Sequence, residues 1–152
     1  MHEVKRILVV SRMTKYCRKA VHYGISLARS SGAELFIIHV IHDPLTYGTW
    51  NLPKPSLEDD YLKEVKRSKE DIDAIVLSEK GKGLHITEII KDGNPTEEIF
   101  AAIRENKIDL AVMLAHEESR LEHFLFGRSN EELVQKMPCS LLLIKEELPV
   151  LY

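Results

Sequence analysis

The apolar positions of this chain fall into two kinds of run that alternate. Ile7-Leu8-Val9-Val10 and Leu35-Phe36-Ile37-Ile38-His39-Val40-Ile41 are continuous and rich in β-branched residues, the pattern of strands covered on both faces in a parallel sheet. Between them, Cys17, Ala20, Val21, Gly24, Leu27 and Ala28 recur at three and four positions, and Gly32 follows where a helix stop is expected, which predicts an amphipathic helix. Leu57, Tyr61, Val65, Ser68, Ile72, Ile75 and Val76 repeat that spacing up to Gly81-Lys82-Gly83. Ile86-Thr87-Glu88-Ile89-Ile90 mixes apolar and polar residues, as a sheet edge does. Asn94-Pro95-Thr96-Glu97 is a helix start, since Asn caps, Pro fits the first turn and Glu97 can reach back to the cap amide. The helix it opens buries Ile99, Phe100 and Ile103. Asp109 to Leu114 and Ser140 to Ile144 supply two more strands, separated by a long polar loop and a helix carrying Leu133, Val134 and Met137.

Strand and helix thus alternate four times before a fifth strand, which predicts an α/β fold with a three-layer, doubly wound, five-stranded parallel sheet. The whole chain, 1–152, reads as one domain, with a long surface loop over 43–56 that holds three prolines and Trp50, and a tail over 145–152. In such sheets a ligand binds beyond the carboxyl ends of the strands where the winding reverses. A reversal between the first and fourth strands would bring the loops Ser11 to Thr14 and Leu114 to Gly127 side by side.

Composition narrows the function. Hydrophobic residues are 44% and charged residues 30% of 152, so a disordered or low-complexity chain is excluded. Lys and Arg number 21 against 24 Asp and Glu, without long blocks of either sign, and neither a nucleic-acid nor a membrane partner is expected. Cys17 and Cys139 stand in no ligand-spaced pattern, and both read as small core residues of a protein from a reducing, cytoplasmic compartment. The run Ile7 to Val10 is too short for a signal-peptide core.

The segments quoted above resemble the universal stress protein family in order and spacing. Lys19 to Leu35, closing on Ile38-His39-Val40, is similar to the family's first helix and second strand. Gly93-Asn94-Pro95-Thr96-Glu97-Glu98-Ile99, followed by Asp109-Leu110-Ala111-Val112-Met113, resembles its third helix start and fourth strand, and Met137-Pro138-Cys139-Ser140 to Ile144 resembles its last strand. The resemblance implies a flavodoxin-like fold, of the adenine nucleotide alpha-hydrolase-like kind, with strand order 3-2-1-4-5. It also implies a homodimer joined through the last strand, Ser140, Leu141, Leu142, Leu143 and Ile144; this chain adds an apolar tail, Leu148 to Tyr152, that could lie over the partner.

One branch of that family binds ATP, with an Asp after the first strand and a loop of the form G-x-x-G-x9-G-[ST] after the fourth. In this chain the Asp falls on Arg12, the first two glycines on Leu114 and Glu117, and the Ser/Thr on Arg128, while Gly127 is kept and Ser129 is one place late. A phosphate loop needs glycines so that backbone amides can turn inward onto the oxygens. The spacer here holds Glu117, Glu118 and Glu122 against Arg120, so a triphosphate would meet repulsion. No ATP binding in the family's usual mode and no cofactor are therefore expected. Should ATP with Mg, or another ligand, bind after all, the resemblance and the altered positions point to Arg12, Val40, Met113, His116, Gly127, Ser129 and Asn130.

Other readings of the same residues stay open. Arg12 can pair with Glu117 or Glu118 across the two loops, or stand solvated. Ser129 with Glu132 resembles a capping box, and a helix start also attracts anions. His39, His42 and Asp43, or His116 and His123, invite a metal, although neither spacing is that of a zinc site. No Ser-His-Asp or Cys-His spacing is visible, so no catalytic residue is assigned. The function expected is a cytoplasmic, dimeric regulatory or interaction module, not an enzyme; the alternatives are an adenine-nucleotide sensor with an altered site and a nucleotide-processing enzyme.

Overall fold

A computed structural model describes residues 3–11, 17–41, 55–115 and 134–145. In these the chain runs β1 (Arg6–Ser11), α1 (Cys17–Ser31), β2 (Glu34–Ile41), α2 (Pro55–Gly81), β3 (Ile86–Asp92), α3 (Pro95–Glu105), β4 (Leu110–Ala115) and β5 (Ser140–Lys145). The strands form one parallel sheet in the order β3-β2-β1-β4-β5, as the alternation of elements and the resemblance predict. β3, the strand of mixed polarity, is one edge and β5 the other. A helical turn over 134–136 precedes β5. Helix α2 begins at Pro55, so the last two positions of the loop expected over 43–56 belong to the helix; proline suits a first turn because its missing N–H would have no intrahelical acceptor.

Alternation along each strand divides the core. Ile7 and Val9, Leu35 and Ile37, Val112 and Leu114 face α1 and α2, where they meet Ala20, Val21, Ile25, Ala28, Ile72 and Val76. Leu8 and Val10, Phe36, Ile38 and Val40, Ala111 and Met113 face α3, where they meet Ile99, Ala102 and Ile103. Phe100 packs against that second cluster while only partly buried. β1 and β2 are buried on both faces, which is why their sequences are unbroken apolar runs. Each fully buried Leu, Ile or Val contributes about 1.5–3 kcal/mol relative to exposure.

All three helices stop in the same way. Ala33 N–H donates to Ala28 O at 3.1 Å, Leu84 to Glu79 O at 3.2 Å and Ile108 to Ile103 O at 3.0 Å, the six-residue closure of a Schellman motif. The residue before each closing amide has positive φ: Gly32 at 71°, Gly83 at 90° and Lys107 at 52°. At the base of the sheet, Asp109 Oδ2 accepts from the backbone N–H groups of Lys5 and Arg6, each at 2.8 Å, and so ties the chain entering β1 to the chain entering β4. No helix among the described residues is long and apolar enough to cross a membrane.

Candidate functional site

The winding reverses between β1 and β4. α1 and α2 cover one face and α3 the other, while β2 and β3 lie on one side of β1 and β4 and β5 on the other. A doubly wound sheet opens its crevice beyond the carboxyl ends of those two central strands. Two of the expected site residues lie on strands near those carboxyl ends. Val10 lies beside Ile38 of β2, and Val9 beside Val112 of β4. Met113 therefore stands beside Val10, and Val40 two residues beyond Ile38, both on the α3 face and both 1% exposed.

Arg12, His116, Gly127, Ser129 and Asn130 lie outside the described residues, as do Glu117 and Glu118 and the loop positions 42–54. The pairing of Arg12, the cap at Ser129 and the histidines His42, His116 and His123 fall there too. Among the described residues no group of three or more His, Cys, Asp or Glu side chains is placed to hold a metal ion.

Two further features at the carboxyl ends of the strands are described. Gly93, at φ 146°, turns the chain from β3 into α3, and Asn94 Oδ1 accepts from Glu97 N–H at 3.2 Å to cap that helix. Leu114, at the position of the family pattern's first glycine, is buried at 4% exposure. Its side chain belongs to the cluster against α1 and α2, so this position supplies core packing.

Beside this crevice, on the opposite face of the sheet from Val40, lies a polar cluster that the sequence pattern did not single out. His39 is fully buried, next in register to Ser11 of β1 and Ile90 of β3. Its Nε2 lies 2.8 Å from Glu88 Oε2, and a carboxylate can only accept, so the ring donates there. Lys69 Nζ of α2 reaches the same oxygen at 3.2 Å and also bonds Asp73. His39 Nδ1 has no hydrogen-bond partner among the described residues. Burial lowers the His39 pKa, and the bond to Glu88 opposes this only in part. For Lys69, burial works against the charge, but the bonds to Asp73 and Glu88 prevail and the pKa is raised. The ionic partner of Glu88 is Lys69, with His39 a neutral donor. A glutamate within an edge strand and a lysine beside a helical apolar stripe were the available signs.

Cys139 is half-buried against the α3-face cluster, and burial pushes its thiol pKa up, the opposite of an activated nucleophile. A recess of about 290 Å³ opens at the amino ends of β2 and β3, between Arg29, Glu34 and His85. It lies at the wrong end of the sheet for the crevice, and Arg29 there already forks onto Glu79, with Nε at 3.0 Å.

The sequence profile described as "Universal stress protein family" matches residues 3–145. The chain belongs to the universal stress protein family. A universal stress protein of Methanocaldococcus jannaschii is 26% identical over 147 residues, which cover 93% of this chain and 82% of that one. The family fold recurs in the solved structure of the universal stress protein UspA of Lactobacillus plantarum, with a TM-score of 0.64 at 19% identity over 95% of this chain and 99% of that one. It recurs also in an Arabidopsis thaliana universal stress protein family protein solved with AMP bound, with a TM-score of 0.59 at 15% identity over 94% and 92%.

Proposed function

We propose that this universal stress protein acts as a cytoplasmic, homodimeric regulatory module that presents a surface to other proteins, performs no catalysis and does not bind ATP in the family's usual mode. The observation that carries the reading is Leu114, a buried core side chain at the position where a phosphate loop needs a bare backbone. Glu117 and Arg128 replace two further defining positions of that loop. For the dimer, support comes from β5, an edge strand whose Leu141 and Leu142 are partly buried and whose Leu143 is 44% exposed. An apolar edge of this kind invites strand addition by a second copy.

A second reading has its own support. Val40 and Met113 are apolar and lie near the carboxyl ends of β2 and β4, where a flat base could stack, and a relative of the same fold is solved with AMP. An adenine-nucleotide sensor would use those two residues with Arg12, His116, Gly127, Ser129 and Asn130. Native mass spectrometry before and after adding Mg-ATP, and again with AMP, separates the readings. A dimer that retains no nucleotide upholds the interaction module; a stoichiometric nucleotide increment replaces it with the sensor, and release of a cleaved product with an enzyme. Leu143→Lys should shift the mass toward the monomer, and a wild-type monomer at micromolar concentration would refute the dimer.

A further inference from the structure

The crevice does not account for the cluster on the other face of the sheet, where one carboxylate oxygen of Glu88 takes both His39 Nε2 and Lys69 Nζ. Among the described residues, Lys69 is the side chain of α2 on the N-terminal side of Ile72 that bonds the sheet. Further along, the helix is held by Ile72 and Val76 in the core, and by Arg29 of α1 on Glu79. Lys69 thus ties its own turn of α2 to β3, with Arg18 of α1 adding a long, exposed pairing to Asp71 at 3.8 Å.

The charged groups acting on His39 are Glu88 from β3 and Lys69 and Asp73 from α2; β1 offers Ser11 in register. A proton on His39 would place a second cation on the oxygen that Lys69 already uses. It would also create an Nδ1–H donor with no acceptor among the described residues, and a buried donor left unmade is costly. Asp73 offsets part of the added charge, but it is engaged by Lys69. Both penalties are relieved together if the Lys69 segment lifts from the sheet. Water then reaches the imidazolium, and His39 takes over as the partner of Glu88.

We propose that His39, Glu88 and Lys69 form an acid-sensitive latch that seats the Lys69 turn of α2 on the sheet near neutral pH and releases it when His39 is protonated. The latch gives the domain an input, acidification, that is separate from any ligand in the crevice. It does not depend on the function proposed above.

Hydrogen exchange by mass spectrometry tests it, comparing the wild-type protein near neutrality with the same protein at about pH 5, a range in which histidine is the side chain that ordinarily titrates. After correction for the intrinsic pH dependence of exchange, opening of the α2 turn around Lys69 should rise about tenfold per pH unit through the titration of His39, one proton being coupled to one opening. β1 and β2 should keep their protection. His39→Gln retains a donor for Glu88 and cannot titrate, so its α2 should exchange alike at both pH values. Three results overturn the latch: unchanged α2 protection in the wild type, loss of protection from α2 and the strands together, or the same acid response in His39→Gln. Should His39→Gln fail to fold, Lys69→Met decides, because it leaves His39 and Glu88 in place without the tether. Its Lys69 turn must open near neutrality and respond little to acid; wild-type protection there refutes the proposal.

Discussion

Gly24 sits in the middle of α1, where an alanine would ordinarily improve a helix by about 1 kcal/mol. Here the helix crosses β1 so closely that a Cβ built on Gly24 falls 2.2 Å from Val9 Cγ2 and 3.3 Å from Leu35 Cδ1. Val9 is fully buried and β-branched, so its methyl cannot swing aside without an unfavourable rotamer. To restore ordinary contact near 3.4 Å, α1 and β1 must separate by about 1.2 Å, in a core packed as densely as a molecular crystal. Overpacking of that kind costs about 1–3 kcal/mol. A clash this short belongs at the upper end, and the helix gain offsets about a third of it. Gly24→Ala should therefore lose about 2 kcal/mol in urea unfolding followed by far-ultraviolet circular dichroism, with a melting temperature lower by roughly 4–8 °C for a chain of this size. Val9→Ala removes the opposing methyl, so Gly24→Ala in that background should cost less than it does alone, and the difference is the coupling energy of the pair. Gly24→Ala as stable as the wild type, or more stable by its helix gain, would refute the close approach.

Lys107 is the one non-glycine of positive φ among the described residues, and an L side chain in that region costs roughly 1 kcal/mol; Lys107→Gly should raise the urea midpoint correspondingly. Asn94→Ala removes the acceptor for Glu97 N–H and should cost about 1 kcal/mol in the same assay. Asp109→Ala leaves two backbone donors to water and should cost about 1–3 kcal/mol. His39 has its pKa lowered in the folded chain by burial, from an ordinary 6.5. Between that lowered value and 6.5 the unfolded chain holds more protons, so stability falls as pH falls through this window and levels off below the folded pKa; His39→Gln should flatten that part of a pH series of unfolding curves. Cys139, its thiol held up by burial, should react with iodoacetamide at neutral pH more slowly than a free thiol, and equal rates would show it open.

Much of the architecture was legible because it is local. Period two and period 3.6 are properties of neighbouring residues, and so are the Asn94 cap and the Gly32 stop. The unbroken apolar runs at Ile7 and Leu35 even gave the depth of their strands, since a strand covered on both faces has no polar side to show. The mixed run from Ile86 marked an edge for the same reason. Strand order was reached through resemblance, because periodicity carries no information about which strands become neighbours.

What the tertiary structure alone decided lies in contacts between residues far apart in the chain. His39 and Glu88 are 49 positions apart, and Lys69 reaches the same oxygen from a helix between them; neither Glu88 nor Lys69 is unusual in its own segment, and His39 alone does not name its partners. Gly24 reads as a weak point in a helix until Val9 is set against it. Leu114 reads as one more residue of an apolar strand, and its burial against α1 and α2 is what turns a missing glycine into a core position. The sequence by itself determined the elements and the faces they must bury, since both follow from side chains one to four residues apart. Only folding determined which charged groups share an oxygen and where two backbones nearly touch, because those depend on the register and distance at which separate elements meet.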